Sequence, residues 1–231
     1  MINKPPLNLI LFGPPGAGKS TQAAYLDNLA TFESISTGQR LRATVEAGTP
    51  LGRQVAEVMA AGKLVDDDLM NQLLREWLLA VPPHEGVLFD GYPRTVHQAT
   101  QLDELLTELG RPLELVIALT LSDEEAIKRL SGRRICRIPN QADEIISVHD
   151  QAAIDRCIAA GGTVFEREDD KPEVISRRLL EYNAKTEPLL RFYADRDELV
   201  LIDADGTPSE VSALIEAALA DFTGAGEAEQ R

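Results

Sequence analysis

The most informative residues lie near the amino terminus, where three glycines precede a lysine and a serine. The segment from Gly13 to Ser20 reads GPPGAGKS, which fits the pattern G-x-x-x-x-G-K-[ST]. In such a loop, successive backbone N–H groups and the start of the following helix form a concave site for a polyphosphate. Lys19 would reach the β- and γ-phosphates, and Ser20 would ligate Mg²⁺. The segment therefore predicts binding of a nucleoside triphosphate.

Arginines recur further along the chain, beside breaks marked by glycine or by acidic residues. Arg129 and Arg133 are four residues apart near a predicted helix end, so both side chains can point the same way. Arg167 stands just before two aspartates, and Arg178 lies on the helix that they begin. Any one of them is explained equally well as a solvated arginine paired with a nearby acid. Taken together, they indicate focused anion sites.

The composition excludes several classes of protein. The chain has 231 residues and a net charge of −15, which argues against a general nucleic-acid binder and against binding to anionic membranes. Its apolar content of 44% is that of a globular protein with one large domain. The short apolar stretch 7–12 leads into glycines rather than a cleavage site, and no apolar run approaches a membrane span. With two cysteines only, we expect a cytoplasmic protein in a reducing compartment.

Strand and helix signals alternate along most of the chain. Strands are expected at 7–12, 32–35, 87–89, 113–121 and 199–202. Helices are expected at 18–30, 49–62, 122–132 and 170–193, and further helices are expected to begin at 36, 66, 95 and 207. Capping boxes are expected at Ser36 with Gln39, at Thr95 with Gln98 and at Ser122 with Glu125. This alternation predicts an α/β fold, with a parallel sheet covered by helices on both faces.

Two segments depart from this rhythm. Residues 133–166 show neither a helical nor a strand periodicity, and they contain both cysteines. This indicates an inserted small domain or a mobile lid. Residues 224–231 are rich in Gly, Ala and Glu, and we expect a flexible tail there.

Three further motifs narrow the function. Ser36-Thr37-Gly38 precedes a helix that carries Arg42, Gly62-Lys63-Leu64-Val65 follows it, and Asp90-Gly91-Tyr92-Pro93-Arg94-Thr95 comes next with Gln98 beyond. Together with the phosphate loop, these motifs resemble the adenylate kinase family over about residues 7–222. The segment from Asp90 to Thr95 is the most specific part of the resemblance after the loop.

The resemblance implies a P-loop kinase with a central five-stranded parallel sheet flanked by helices. It implies a CORE domain at 1–35, 66–131 and 168–223, an insertion that binds the nucleoside monophosphate (NMP) at 36–65, and a LID at 132–167. The chain outside the flexible tail is thereby assigned to three parts.

The resemblance also assigns roles to individual residues. The catalytic residues would be Lys19, Arg94, Arg129, Arg133, Arg167 and Arg178. ATP would be bound by Gly13, Pro14, Pro15, Gly16, Ala17, Gly18, Lys19, Ser20, Thr21, Arg129, Arg133 and Gly206. AMP would be bound by Thr37, Gly38, Arg42, Lys63, Leu64, Val65, Gly91, Tyr92, Pro93, Arg94, Gln98, Arg167 and Arg178. Mg²⁺ would be held by Ser20 directly and by Asp90 through water.

The LID departs from the zinc-binding members of this family. Cys136 and Cys157 fall on two of the four ligand positions, but Pro139 and Ala160 occupy the others and cannot bind a metal. We therefore expect no structural zinc, although His149 or Asp155 could in principle complete a site. We expect the two thiols to be unpaired, and the LID to be held by a small core of Ile135, Ile138, Ile145, Ile146, Val148, Ile154, Ile158, Val164 and Phe165.

A second departure is Gln39, where the family usually has aspartate. That aspartate is not a direct metal ligand in the family, so we expect activity to survive.

The activity implied is reversible transfer of the terminal phosphoryl group from Mg·ATP to AMP, giving two ADP, by a monomer without nucleic-acid or membrane partners. The nearest alternative is a kinase that acts on UMP or CMP, but Thr37, Thr95 and the long insertion favour AMP. Another small-molecule P-loop kinase would leave residues 91–98 unexplained. A non-catalytic nucleotide sensor would have no need of so many arginines.

Overall fold

The computed structural model describes residues 7–29, 32–61 and 63–228. The helix ends predicted at Ala30 and Gly62 and the last three residues of the predicted tail lie outside them. The strands are β1 Asn8–Phe12, β2 Phe32–Ser36, β3 Gly86–Asp90, β4 Leu115–Thr120, β5 Arg133–Arg137, β6 Glu144–Ser147, β7 Thr163–Phe165 and β8 Leu199–Asp203. The helices are α1 Lys19–Leu29, α2 Thr37–Glu46, α3 Pro50–Ala60, α4 Asp67–Leu79, α5 Val96–Glu108, α6 Asp123–Gly132, α7 Gln151–Ala159, α8 Pro172–Glu181, α9 Pro188–Ala194 and α10 Pro208–Ala228.

A central five-stranded sheet confirms the predicted α/β fold. Its strands are parallel, in the order β2-β3-β1-β4-β8. Every residue of β1 and β3 is buried because helices cover both faces, which is why these strands read as continuous apolar runs. The register places Asp90 beside Leu11 of β1 and beside Ser36 of β2. The carboxyl ends of three strands therefore meet at one edge, where ligands bind in open α/β sheets.

Helix α4 faces the core with a different stripe from the one expected. The sequence favours Leu69, Leu73 and Trp77 together with Leu78. In the structure Met70, Leu74 and Leu78 are the buried residues, and the other three are only partly buried. Two adjacent apolar stripes run along this helix, and periodicity alone does not decide which of them faces the sheet.

The long helix predicted from Asp170 to Tyr193 is broken in the middle. It consists of a 3₁₀ turn at Glu168–Asp170, then α8, a π-helical turn at Tyr182–Thr186, and α9. Pro188 has no N–H to continue the α-helical pattern, and the N–H of Glu187 instead donates to the carbonyl of Tyr182, five residues back. The widened turn directs Tyr182 and Thr186 toward the cavity described below.

Residues 133–165 form a separate antiparallel sheet that we call the small sheet unit. Its strands are ordered β6-β5-β7, and α7 packs against them. The strands have only three to five residues, which is too short for a period of two to be recognised in the sequence. The insertion was expected, but its internal structure was not.

The prediction that the two thiols are unpaired is wrong. Cys136 on β5 and Cys157 on α7 form a disulfide, with their Cα atoms 5.9 Å apart. Both residues are buried, because α7 lays its Ala153 and Cys157 side onto β5. The sequence places two cysteines in one insertion, but the expectation of free thiols came from the presumed compartment and not from the geometry.

The core of the small sheet unit is smaller than predicted. Ile146, Ala153 and the disulfide are buried in it, with Ile138, Ile154 and Val164 packed alongside. Three of the predicted core residues are exposed instead, namely Ile145, Val148 and Ile158. Among the described residues, no group of three or more His, Cys, Asp or Glu side chains is placed to hold a metal ion.

The last helix is longer than expected. It continues to Ala228, where the sequence predicts a flexible tail from Gly224 onward. No proline interrupts this stretch, and its alanines favour helix. None of the helices in the described part of the chain is both long and apolar enough to cross a membrane.

Candidate active site

The phosphate loop connects β1 to α1, as its sequence predicts. Gly13 and Gly16 both have positive φ, at 153° and 87°. A Cβ at Gly13 would lie 2.5 Å from the carbonyl oxygen of Leu119, and one at Gly16 would lie 3.0 Å from that of Ala126. Only glycine allows the loop to approach β4 and α6 so closely. The loop is therefore fixed against the sheet, and its backbone surrounds one end of a cavity.

The amino group of Lys19 lies inside this loop. Its Nζ donates to the carbonyl oxygens of Gly13 and Pro14, at 2.7 and 2.8 Å. Burial lowers the pKa of Lys19 from 10.5 to about 7, although the negative charge of Asp90 acts in the opposite direction. Arg94, Arg178 and Arg133 lower it further. No carboxylate of the described residues forms an ion pair with this ammonium, and a polyphosphate would supply negative charge in direct contact with it.

Asp90 is the last residue of β3, and its carboxylate accepts hydrogen bonds from two hydroxyl groups. Its Oδ2 accepts hydrogen bonds from Ser20 Oγ at 2.8 Å and from Ser36 Oγ at 2.9 Å. The capping box predicted at Ser36 and Gln39 is therefore wrong, because the Ser36 side chain makes no cap hydrogen bond to α2. The register of β2 and β3 brings Ser36 to Asp90 instead. Carboxylate and hydroxyl oxygens next to a phosphate loop fit Mg²⁺, which prefers hard oxygen ligands.

Two aspartates that follow the small sheet unit hold three of the predicted arginines. Asp170 is completely buried and accepts from Arg133 Nε at 2.7 Å and Arg133 Nη2 at 2.5 Å. Asp169 pairs with Arg167 and also lies 3.3 Å from Arg178. Arg178 in turn donates to the carbonyl oxygen of Asp169 and to Asp170 Oδ1. These bonds bring Arg133 of β5, Arg167 of the loop after β7 and Arg178 of α8 to one wall of the cavity.

The charges in this cluster shift one another's pKa values. Burial alone would raise the pKa of Asp169, but Arg167 and Arg178 hold it at about 2. Burial lowers the pKa of Arg42 and Arg178 to about 10, and their arginine neighbours contribute to both shifts. Arg42 and Arg178 therefore stay charged at neutral pH. Asp169 and Asp170 are functional residues that the sequence motifs do not reveal, although their position between Arg167 and Arg178 is a usable signal.

Arg129 is fixed differently from the other arginines. Its Nε donates to Glu125, and its Nη atoms donate to the carbonyl oxygens of residues 204–206. The guanidinium therefore ties α6 to the loop that contains Gly206, and both residues line the cavity. The sequence predicted both as part of the ATP site.

The opposite end of the cavity is formed by the segment after β3 and the start of α2. Thr37 is buried, and its Oγ1 donates to the carbonyl oxygen of Gly91 at 3.0 Å. Arg94 Nε donates to the same carbonyl oxygen at 2.7 Å. Thr95 caps α5 as predicted, since its Oγ1 accepts from Gln98 N, but the Gln98 side chain does not complete the box. Its Oε1 accepts from the backbone N–H of Arg94 at 2.7 Å instead.

A single cavity of about 620 Å³ connects these groups. Eight basic and three acidic side chains line it, so it is positively charged in a protein of net charge −15. Of the predicted site residues, Pro14 alone is absent from the lining. Residues that line the cavity without having been predicted include Ser36, Met59, Ile145, Asp169, Glu181, Tyr182 and Thr186.

Comparison with known proteins identifies relatives across almost the whole chain. The adenylate kinase family model matches residues 11–198. The adenylate kinase of Salinispora tropica is 43% identical over 220 residues, which cover 94% of this chain and all of that protein. The adenylate kinase of Acidothermus cellulolyticus is 42% identical over 92% of this chain and 98% of its own. The adenylate kinase of Novosphingobium aromaticivorans is 40% identical over 93% of this chain and 99% of that protein.

Proposed function

Because the chain belongs to the adenylate kinase family and is a phosphotransferase, we propose that it transfers the terminal phosphoryl group of ATP to AMP in this cavity, producing two ADP. The observation that carries the proposal is the continuous basic cavity, which joins a phosphate loop at one end to Thr37, Arg94 and Gln98 at the other. A volume of about 620 Å³ falls in the range of small-molecule sites.

The phosphate loop and Lys19 form the donor side. The loop's backbone N–H groups and the amino end of α1 bind the β- and γ-phosphates, and Lys19 exchanges its two carbonyl acceptors for phosphate oxygens. Arg129 and Gly206 line the part of the cavity next to this loop, where the base of ATP would lie. Ser20 would hold Mg²⁺ directly and Asp90 through water. Mg²⁺ bound with ATP neutralises charge on the phosphates.

The acceptor side lies between α2, the chain after α3 and the segment that follows β3. Arg42 and Arg94 bind the α-phosphate of AMP, and Thr37, Lys63–Val65 and Gln98 surround its base. Burial lowers the pKa of Arg94, so its charge is poorly solvated and gains most from a phosphate partner. Residues 36–65 would thus act as the NMP-binding segment.

The transfer needs positioning and charge neutralisation rather than a general base. The attacking group is a phosphate oxygen of AMP that is mostly ionised at neutral pH. Lys19, Arg94, Arg133, Arg167 and Arg178 surround the space between the two phosphate sites, where negative charge spreads over the transferred group. The aspartates beneath the arginines fix their guanidinium planes before substrate arrives.

The small sheet unit acts as the LID in this proposal, within residues 132–167. Ile145, Ile146 and Ser147 of this unit line the cavity together with the phosphate loop. Water at the γ-phosphate would hydrolyse ATP, so a segment that covers the cavity favours transfer to AMP. Residues 1–35, 66–131 and 168–223 then form the CORE.

We also propose a monomer that works in the cytoplasm without nucleic-acid or membrane partners. The net charge of −15 supports the last two points, because phosphate backbones and anionic lipids would repel this surface. Light scattering coupled to size-exclusion chromatography tests the monomer, and a molar mass of two chains would contradict it.

A coupled assay with ATP and each of AMP, GMP, CMP and UMP tests the function. We expect ADP formation to be fastest with AMP and to stop when the divalent metal is removed. The Lys19→Met variant is the matched negative control, since it preserves the length of the side chain and removes its charge. Faster turnover with CMP or UMP would establish the pyrimidine kinase alternative, and ligand binding without turnover would establish a sensor.

A further inference from the structure

Asp67 is the only member of the acidic run 66–68 whose side chain reaches a neighbouring element among the described residues. Asp66 caps α4 by accepting from the backbone N–H groups of Asp68 and Leu69. Asp68 is exposed. Asp67 Oδ1 accepts from Gln98 Nε2 at 2.6 Å, and its Oδ2 accepts from Thr95 Oγ1 at 3.3 Å. Asp67 itself does not line the cavity, whereas Gln98 does.

These contacts fix the side-chain amide of Gln98 in one orientation. The amide oxygen accepts from the backbone N–H of Arg94, and the amide nitrogen donates to Asp67. If the amide were flipped, its oxygen would face the Asp67 carboxylate and its nitrogen would face an N–H donor, so both hydrogen bonds would become repulsive. Gln98 is buried, so water cannot take over either bond.

An amide has two N–H donors and two acceptor lone pairs, and one of each is used here. Each purine edge presents one donor and one acceptor, so the placement of the base decides which edge the fixed amide accepts. In the acceptor site of the proposed function, the free amide oxygen lone pair faces the C6 substituent and the free N–H faces N1, which matches the exocyclic amino group and ring acceptor of a 6-aminopurine. A 6-oxopurine presents the reverse pattern, an acceptor oxygen beside a ring N–H. Only a flipped amide would pair with that edge.

On the premise of the proposed function, we propose that Asp67 is a positioning residue that makes the acceptor site select 6-aminopurine over 6-oxopurine monophosphates, by holding the Gln98 amide in one orientation. It touches no substrate and acts through Gln98. Asparagine at position 67 can accept from or donate to the amide, so Asp67→Asn removes one of the two contacts that oppose the flipped orientation of Gln98. The backbone N–H of Arg94 still opposes it, so the preference is weakened rather than abolished.

The test compares Asp67→Asn with the wild-type protein, using AMP and IMP as acceptors. IMP is the sharpest probe because it differs from AMP only at the purine edge in question. We expect the ratio of kcat/KM for AMP to that for IMP to fall about tenfold or more, which is the scale of one hydrogen bond to a charged group. The loss should lie in the KM for AMP, with kcat at saturating AMP nearly unchanged.

Asp68→Asn is the matched control, because it removes the same charge from the first turn of α4 without touching Gln98. It should keep the wild-type AMP to IMP ratio. Asp67→Ala provides a second measurement if Asp67→Asn folds poorly, and it should lower the ratio as well. If folded Asp67 variants keep the ratio, or lose kcat for both acceptors equally, Asp67 has a merely structural role. If the wild-type protein itself prefers CMP or UMP, the proposed function fails instead, and this inference fails with it.

Discussion

The five-stranded sheet and the small sheet unit border the same cavity, but they are held together by different forces. The large sheet is enclosed by two extensive clusters of buried apolar side chains, one on each face. The small unit has one cluster, in which two of the four buried residues are the cysteines of the disulfide. A unit of 33 residues that buries so little apolar surface needs a cross-link. The large unit is stabilised by burial, and the small one largely by a covalent bond.

The comparison also concerns the cations at the cavity. Lys19 belongs to the large unit and is held by the backbone of its own loop. Arg133 begins the small unit and Arg167 follows it, and both are held by aspartates in the 3₁₀ turn before α8. The small unit's arginines are therefore positioned at its junction with the rest of the protein. Its interior can loosen without releasing them.

The largest effect should come from the large unit. Lys19→Met removes the cation at the centre of the phosphate loop, and we expect kcat to fall at least about a hundredfold to a thousandfold, as when a preorganised charge partner is lost. Steady-state kinetics and circular dichroism would show whether the fold is preserved. Lys128→Met is the control, because Lys128 is exposed and its one ion pair within the described part of the chain is with Glu125. An unchanged kcat with weaker ATP binding would show that Lys19 acts in the ground state alone.

The second-largest effect should distinguish a buried ion pair at the junction of the small sheet unit from an exposed ion pair on its surface. Arg133 and Arg137 occupy the two ends of β5, and each makes a two-pronged pair with an aspartate. The Asp170 side chain is completely buried, whereas that of Asp143 is 38% exposed. Asp170→Asn leaves a poorly solvated guanidinium, and we expect it to lower the free energy of unfolding by about 3 kcal/mol. Asp143→Asn should lower it by less than about 1 kcal/mol.

Denaturant titration of both variants measures this contrast. In Asp170→Asn, kcat should fall as well, because Arg133 loses its orientation. Equal stability losses in the two variants would contradict the view that burial separates these pairs. A large stability loss without any change in kcat would remove Arg133 from the transfer.

The sequence was sufficient where one local pattern determines the structure. The phosphate loop, the alternation of strands and helices, and the caps at Thr95 and Ser122 all follow from residues within one or two turns of each other. It was insufficient where distant residues compete for the same group. Ser36 had an acceptable local partner in Gln39, but the strand register offered it Asp90, 54 residues away.

The small sheet unit was the least predictable region for a related reason. Its strands are too short to show a period, and its cysteines could be free, metal-bound or paired. Which of these holds depends on how α7 docks onto β5, and neither segment encodes that docking by itself. The break between α8 and α9 could have been predicted, because Pro188 stands inside the proposed helix.

Reducing the disulfide should loosen the small unit and leave the large one intact. The cross-linked cysteines are 21 residues apart, and closing such a loop stabilises the folded state by about 3 kcal/mol in the chain-entropy model. We expect faster hydrogen exchange in residues 133–165 after treatment with a dithiol reductant, with little change in the five-stranded sheet. The Cys136→Ala/Cys157→Ala double variant is the control, and its exchange should not respond to reductant.

Thiol titration of the unfolded protein without reductant supports this comparison from a second direction. It should detect no free thiol, and two thiols per chain would mean that the apolar contacts hold the unit alone. Metal analysis of protein purified without chelators should find no stoichiometric zinc. Zinc lost together with thermal stability on chelation would place metal ligands where we place the disulfide.

The smallest effect is the electrostatic coupling between the two units at Lys19. In the unfolded chain Lys19 keeps its proton up to its ordinary pKa of 10.5, whereas in the folded protein it loses the proton near pH 7. Between these two values the unfolded state binds more protons, so the contribution of Lys19 to the free energy of unfolding rises with pH. Phosphate binding restores the positive charge of Lys19. The protein should therefore take up close to one proton when it binds ATP at about pH 8.5, and fewer as the pH falls below 7. Calorimetry in buffers of different ionisation enthalpy measures this uptake, with Lys19→Met as the baseline. Because Arg133 contributes to the lowered pKa, Arg133→Met should move the uptake to slightly higher pH. An uptake that is the same in wild type and Lys19→Met would show that Lys19 is already charged before ATP binds, and an uptake that Arg133→Met leaves unmoved would show that Arg133 does not influence the phosphate loop.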